Sequence, residues 1–262
     1  MTADGWQPEQ YHRFADERRA PFLDLLGLIQ PIPGGRVIDL GCGTGELTAL
    51  LHRELAAAET VGVDRSAEML GEAAALSAPG VTFREGDIGD FEDLRAWDVV
   101  AANAALHWVP DHADVLARWT ASLRPGGQLA VQVPANADHA SHRLSAAVAA
   151  SPQFVGLFGE PGPPPDPVLS VLAPEEYAVL LDRLGYEEQH VRLQVYGHHL
   201  ASTADVVEWV KGTSLTRFRA RLSPKDYERF VDAYRDRLVG ELGDHRPYFY
   251  AFKRILIWGH LP

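Results

Sequence analysis

Asp39 closes a short apolar run, Val37-Ile38-Asp39-Leu40, and three glycines follow at alternate positions, Gly41, Gly43 and Gly45. A glycine has no Cβ, so its backbone approaches a ligand more closely than that of any other residue and tolerates φ > 0. A carboxylate beside such a loop is placed to accept hydrogen bonds from a cationic amino group. The chemistry on offer is close, backbone-lined binding of a ligand that carries positive charge. Two common phosphate loops are excluded by the spacing. A dinucleotide loop needs G-x-G-x-x-G, and position 46 is Glu. A P-loop needs Gly-Lys followed by Ser or Thr, which this segment lacks.

The elements around this loop repeat the arrangement. Thr60-Val61-Gly62-Val63-Asp64 is a second β-branched run ending in an acid, and the strand predicted at residues 81–85 leads into Gly86-Asp87-Ile88. An ionised carboxylate at Asp64 can accept both hydroxyls of a ribose. A fourth strand, residues 98–102, ends in Asn103-Ala104-Ala105-Leu106-His107-Trp108, and the turn Arg124-Pro125-Gly126-Gly127 introduces a fifth at 128–133. Helices are expected over 46–58, after an N-cap at Ser66, and over 113–122 with Asp111 as its cap. Alternating strands and helices with short turns predict an α/β, doubly wound, mostly parallel sheet, which binds ligands at the carboxyl ends of its strands. Any one of these acids could be a solvated turn residue. Asp39, Asp64 and Asp87 at successive strand ends are better read as one ligand-facing set.

Composition narrows the partners. A chain of 262 residues with 46% hydrophobic and 23% charged residues suits a soluble globular enzyme with one large core and room for a smaller lobe. The net charge of −12 argues against a nucleic-acid substrate, whose phosphates would be repelled. Cys42 is the one cysteine, which fits a reducing, cytoplasmic setting, and no apolar run approaches a membrane span or resembles a signal peptide. The eleven histidines form no H-E-x-x-H, and His198 and His199 are adjacent, so on a strand they face opposite ways. No metal site is expected.

Beyond residue 134 the chain changes character. Residues 134–174 are irregular, with five prolines among residues 161–167, a connector or a lid. A helix opens at Pro174-Glu175-Glu176 and ends at Gly185, a strand is expected at 191–196, helices at 203–211 and 224–242, and a last strand at 252–258. Residues 6–30 are aromatic and of mixed charge, and their second half reads as an amphipathic helix.

The segment D-x-G-x-G-x-G resembles the nucleotide loop of class I S-adenosylmethionine-dependent methyltransferases. Further motifs resemble the trans-aconitate 2-methyltransferase family: Trp6, Pro8, Tyr11, Phe14, Arg18 and Pro21 in the N-terminal arm, the run from Asn103 through Trp108-Val109-Pro110-Asp111-His112, Pro134-x-Asn136 followed by Ser141-His142, and Trp209-Val210-Lys211-Gly212-Thr213-Ser214-Leu215. The resemblance implies a seven-stranded Rossmann-like sheet with a helical capping lobe. Residues 1–30 would form an arm over the active site, 31–135 the S-adenosylmethionine-binding core, and 136–262 the rest of the sheet with an inserted substrate cap. It places the cofactor at Asp39, Gly41, Cys42, Gly43, Asp64, Arg65, Met69, Gly86, Asp87, Ile88, Asn103 and Ala104, with Asp87 taking the adenine amino group and Ile88 packing on the ring.

The implied reaction is methyl transfer to a carboxylate of a small polyacid. A carboxylate is already ionised, so positioning suffices and no catalytic base is expected. The substrate's other carboxylates need cations or donors; the candidates are Tyr11, Arg18, Trp108, His142 and Arg254. Departures from the family pattern fall in the substrate region: Ala20 for an arginine, Thr216-Arg217 for Arg-Pro, and Arg192, Gln194 and Val195 for a Trp and paired threonines. Two alternatives stay open. One is another carboxylic acid, free or on a carrier protein that would dock on Arg217, Arg219 and Arg221; the other is a non-catalytic S-adenosylmethionine-binding protein.

Overall fold

A computed structural model describes residues 15–262, with side chains from Arg19 onward. Helix α1 (Ala15–Leu26) buries Phe22 and Leu25 on one face, and Ile29 just beyond it is buried as well. Then come β1 (Arg36–Leu40), α2 (Glu46–Glu54), β2 (Glu59–Asp64), α3 (Ala67–Ala73), β3 (Val81–Glu85) and β4 (Trp97–Asn103). The chain continues through α4 (His112–Ala121), β5 (Leu123–Pro134), α5 (Ala140–Ala149), α6 (Pro174–Arg183) and β6 (Glu188–Leu200). It ends with α7 (Asp205–Lys211), α8 (Thr216–Arg219), α9 (Pro224–Leu242) and β7 (Tyr248–His260).

The strands form one seven-stranded sheet in the order β3-β2-β1-β4-β5-β7-β6. Pairings among the first five are parallel, and β7 runs antiparallel to β5. Strand order reverses between β1 and β4, so the loops leaving these two strands flank the crevice where such sheets bind ligands. The predicted doubly wound, mostly parallel sheet is what the chain adopts.

Alternation along the buried strands supplies two cores, one on each face. Ile38, Leu40, Val61, Val63, Val100 and Val131 pack on one side with Trp119, Tyr177 and Leu181. Val37, Val99, Ala101, Ala130 and Trp258 pack on the other with Phe22, Leu25, Leu50 and Leu51. The buried Gln128 is fully used: its Oε1 accepts from Gln30 N at 2.8 Å and Trp258 Nε1 at 3.0 Å, and its Nε2 donates to Gln30 O.

The chain divides into two compact units. The sheet unit holds residues 18–135, 170–194 and 253–262. The helical unit includes residues 136–169 and 195–252 and has its own aromatic core, in which Phe230 meets Phe154 edge-on at 5.5 Å and Phe218 at 4.6 Å. Helix α9 starts as its sequence predicts, with Pro224 in the first turn and the Ser223 side chain accepting from Asp226 N.

Several expected boundaries shift. Helix α2 stops at Glu54 rather than near residue 58, because Ala56 takes φ +50 and turns the chain. Strands β6 and β7 extend beyond their predicted ends on both sides. Ser66 does cap α3, its hydroxyl accepting from Met69 N at 3.3 Å. Asp111 does not cap α4 with its side chain. A capping residue needs extended backbone angles to aim its oxygen at the first helical N–H groups, and Asp111 sits at φ +55.

Candidate functional site: the carboxyl ends of β1, β2 and β4

The loop from β1 to α2 is folded back by hydrogen bonds to β2. Gly41 N and Cys42 N both donate to Val63 O, at 2.7 and 3.0 Å. Gly43 N donates to Asp64 Oδ2 at 2.9 Å, and Ser66 N donates to Asp64 Oδ1 at 2.9 Å. Asp64 is thereby fixed by two backbone donors, yet each carboxylate oxygen retains a lone pair for a further hydroxyl. Gly41 lies at φ +82 in close approach to β4's exit: a Cβ there would overlap the Ala105 methyl. Gly45, at φ +80, has Phe83 where its side chain would be. A side chain at either position would have to push these groups, and the loop with them, out of place.

Asp39 lies beneath this loop, 4% exposed, with Thr48 Oγ1 donating to its Oδ2 at 2.6 Å. Burial raises its pKa to about 6; the Thr48 bond opposes that rise and the Asp64 charge adds to it. Burial also pushes the Cys42 thiol far up, with Asp39 and Asp64 contributing, so it is an inert packing group.

The other strand ends join the same place. Gly86 N donates to Asp64 O at 3.0 Å, tying β3's exit to β2's. Asp87 is exposed and turns onto Gly89 N at 2.8 Å, while Ile88 is buried and its carbonyl accepts from Trp119 Nε1. Arg65 is exposed and Met69 is buried. At the end of β4, Asn103 Oδ1 is buried with no hydrogen-bond partner among the described residues. Ala104 next to it takes φ +54 and donates to Gln132 O at 2.9 Å. Left-handed backbone at a non-glycine residue costs about 1–2 kcal/mol, and strain of this kind gathers at functional sites.

Tyr11 and the Arg18 side chain lie outside the described residues. Trp108 is half-buried three residues past Ala105, its ring 4.9 Å from that of His107. Arg254, 5% exposed in β7, donates from Nη1 to Gln132 Oε1 at 3.2 Å, so Gln132 links it to the end of β4. His142 belongs to the helical unit, where Asp166 Oδ2 accepts from its Nδ1 at 2.9 Å and also pairs with Arg217 at 3.2 Å. Reading the sequence missed Thr48, Gln132 and Asp166. Gln132 shows as a lone polar residue among Leu129, Ala130, Val131 and Val133, and Asp166 as an acid between prolines. Thr48 carries no local signal. The basic docking face expected of Arg217, Arg219 and Arg221 is not formed as such, since the Arg217 side chain turns inward and is 6% exposed. Its partner, a buried carboxylate, is the reason.

Among the described residues no group of three His, Cys, Asp or Glu side chains could hold a metal, and no helix is long and apolar enough to cross a membrane.

A methyltransferase domain family matches residues 32–158. The trans-aconitate 2-methyltransferase of Deinococcus radiodurans is 44% identical over 256 residues, spanning 96% of each chain. The enzyme of the same name from Streptomyces avermitilis is 36% identical, spanning 97% of this chain and 96% of its own. The YcgJ protein of Bacillus subtilis shares the fold, with a TM-score of 0.60 at 15% identity over 93% of this chain and 98% of its own. The glycine loop, open at Gly43 and packed closely on Ala105 and Phe83 at Gly41 and Gly45, the backbone-held Asp64 and the unpartnered Asn103 Oδ1 together fit a charged adenosyl ligand. The chain belongs to the trans-aconitate 2-methyltransferase family and is an S-adenosylmethionine-dependent methyltransferase.

Proposed function

We propose that the protein forms a methyl ester on one carboxylate of trans-aconitate. The observation that carries this reading is the end-to-end similarity to enzymes of that name, through the helical unit as well as the cofactor core. S-adenosylmethionine, when bound, supplies an electrophilic sulfonium methyl group. The protein's own part is binding and orientation. Gly43 faces open space at the end of β1, where Gly41 lets the loop pack closely on Ala105; Asp64 receives the ribose hydroxyls, and Asn103 Oδ1 and Asp39 are acceptors for the amino group. Asp87 and Ile88 receive the adenine, with Arg65 and Met69 flanking it.

A carboxylate acceptor arrives ionised and gives up no proton, so no residue has to act as base. What remains is holding the acceptor in line, where good orientation is worth up to about 7–11 kcal/mol of barrier, and keeping water away from the reacting atoms. Trp108, His142 and Arg254 are the acceptor's contacts in this reading, with Tyr11 and Arg18 of the N-terminal arm. A cytoplasmic setting without nucleic-acid partners belongs to the same reading, supported by the single buried thiol and the net charge of −12.

Incubation with S-adenosylmethionine and trans-aconitate tests it directly: a mono-methyl ester by mass spectrometry is the expected product, and its absence at saturating reagents sinks the acceptor. The cofactor half has its own check. Asp64→Ala removes two charge-assisted hydrogen bonds, so S-adenosylmethionine affinity measured by calorimetry should fall about a hundredfold.

A further inference from the structure

The face of the sheet that packs on Phe22, Leu25 and Leu51 ends in a row of polar side chains. Side chains on one face recur at every second residue, so Asp39 follows Val37 on β1 and Asn103 follows Ala101 on β4. By the same alternation Gln132 follows Ala130 on β5, and Arg254 precedes Leu256 on β7. Asn103 and Gln132 are register partners, and Arg254 pairs with Pro134, two residues beyond Gln132. The row thus crosses four neighbouring strands, β1-β4-β5-β7, at the carboxyl ends of the parallel ones. All four residues belong to the sheet unit.

The chemistry changes along the row. Asp39 and Asn103 Oδ1 offer acceptors, whereas the Arg254 guanidinium has donors only. Gln132 stands between them and carries both kinds of atom, so its orientation decides which it shows. Arg254 Nη1 donates to Gln132 Oε1 at 3.2 Å. A guanidinium has no lone pair to offer, so the amide oxygen has to face it, and Nε2 is turned the other way. That nitrogen is buried with no hydrogen-bond partner among the described residues. Gln128 is the internal control: it lies four residues earlier on the same strand and face, is equally buried, and uses its Oε1 and Nε2 on Gln30 and Trp258. A buried donor without a partner is costly, and native structures keep few of them without a reason. The glutamine that keeps one is the glutamine at the ligand-binding end of the strand. Beside a guanidinium, the acceptor that suits it best is an anionic oxygen.

We propose that Gln132 is a carboxylate-binding residue of this site: its Nε2–H donates to a carboxylate oxygen of a bound ligand, beside the positive charge of Arg254. Two ligands of the reaction carry that group. One is the acceptor, and this source rests on the reading of trans-aconitate as substrate. The other is the amino-acid tail of S-adenosylmethionine, whose ammonium Asn103 and Asp39 take one and two strands away. In either case the row sorts charge, with cationic groups drawn toward β1 and β4 and anionic ones toward β5 and β7.

The test uses the full-length protein with glutamine labelled in 15N. The side-chain amide resonance of Gln132 is the one missing from Gln132→Glu. Titration with S-adenosylhomocysteine, and then with trans-aconitate on the saturated complex, shows which addition moves its protons downfield, as a new bond to a carboxylate does. Affinities give a second reading. Gln132→Glu keeps an acceptor for Arg254 and sets a carboxylate against the ligand's own, so that ligand should bind at least about tenfold more weakly. If the source is the acceptor, KM for trans-aconitate rises by that factor and the calorimetric affinity for S-adenosylhomocysteine holds. If the source is the cofactor's tail, S-adenosylhomocysteine affinity falls, while that for methylthioadenosine, which lacks the tail, holds. Gln132→Met, of similar length without polar atoms, should show the same pattern more weakly and serves if the buried glutamate prevents folding. A resonance that neither ligand moves, unchanged affinities in a folded variant, or an equal loss for methylthioadenosine overturns the proposal. If the wild type forms no ester, the trans-aconitate reading falls, and a Gln132 resonance unmoved by S-adenosylhomocysteine then overturns this one as well.

Discussion

The two polar regions of this protein are built on opposite plans. At the carboxyl ends of β1 and β2 the parts are backbone: Gly41 N, Cys42 N, Gly43 N, Ser66 N and Gly86 N all bond within β2's exit, and one carboxylate, Asp64, gathers two of them. In the helical unit the parts are side chains, His142, Asp166 and Arg217, drawn from segments up to 75 residues apart and held by charge. The first plan resists substitution of side chains but not of glycine; the second depends on each partner's charge. A backbone site also keeps its geometry when empty, whereas a charge cluster has to be complete to be tolerated in a low-dielectric interior.

The sharpest way to break this contrast is to remove a charge from the helical unit. Asp166→Ala leaves the nearly buried Arg217 guanidinium without its counter-ion, and breaking a buried pair of this kind costs about 3–5 kcal/mol. Denaturant unfolding should show that loss, and replacing Arg217 as well, by Met, should return part of it. A loss below about 1 kcal/mol would mean that solvent already screens the pair, as it does surface pairs. In the sheet unit the comparable injury needs only one methyl group. Gly41→Ala meets the left-handed penalty of about 1–2 kcal/mol and an overlap with Ala105, for which overpacking adds about 1–3 kcal/mol. Stability and S-adenosylmethionine affinity should fall together, because the strained atoms are those of the loop itself.

Asp39 offers a smaller and pH-dependent test. Its folded pKa of about 6 lies above the ordinary 3.8 because it is buried. The folded state therefore binds more protons than the unfolded state between those values, and stability from this group falls as pH rises from about 4 to 6. The full span is about 3 kcal/mol. Asp39→Asn should be more stable than the wild type above pH 6 and should lose that advantage toward pH 4. Cofactor affinity should run the other way: protonation below pH 6 removes an acceptor, so S-adenosylmethionine binding to the wild type weakens there. Parallel slopes for stability and affinity would rule Asp39 out as a ligand contact.

This difference in plan also decides what could be read in the sequence. Asp39, the three glycines, Asp64 and Gly86 stand within a few residues of strand ends, and strand ends show as breaks in apolar runs. Their gathering then follows from the topology of a parallel sheet. The helical unit offered no such route. Asp166 sits among prolines that set no period, and its pairing with residues 142 and 217 is a matter of tertiary packing alone. Arg217 shows in the sequence as a departure from the family pattern, but nothing local marks it as buried, since an arginine on a short helix ordinarily faces water. The partner that draws it inward lies 51 residues earlier.

The smallest expected effect belongs to a residue whose type suggested more than its conformation allows. Asp before a helix is worth about 0.5–2 kcal/mol when its carboxylate accepts from the first helical N–H groups. Asp111 stands at that position before α4, but at φ +55 its side chain makes no such bond; its backbone carbonyl accepts from Asp114 N and Val115 N instead. Asp111→Ala therefore deletes no cap, and adds only the cost of alanine in a left-handed conformation that Asp tolerates better. Asp111→Gly relieves that strain and loses nothing from the side chain. Thermal unfolding should place the glycine variant at or slightly above the wild type, within about 0.5–1 kcal/mol. A true side-chain cap would also leave glycine within a few tenths of the wild type, so the decisive comparison is with asparagine. Asn tolerates the left-handed region as Asp does and keeps a capping oxygen, so Asn above Gly would restore the cap, and Gly above Asn would leave backbone strain as the whole account of this turn.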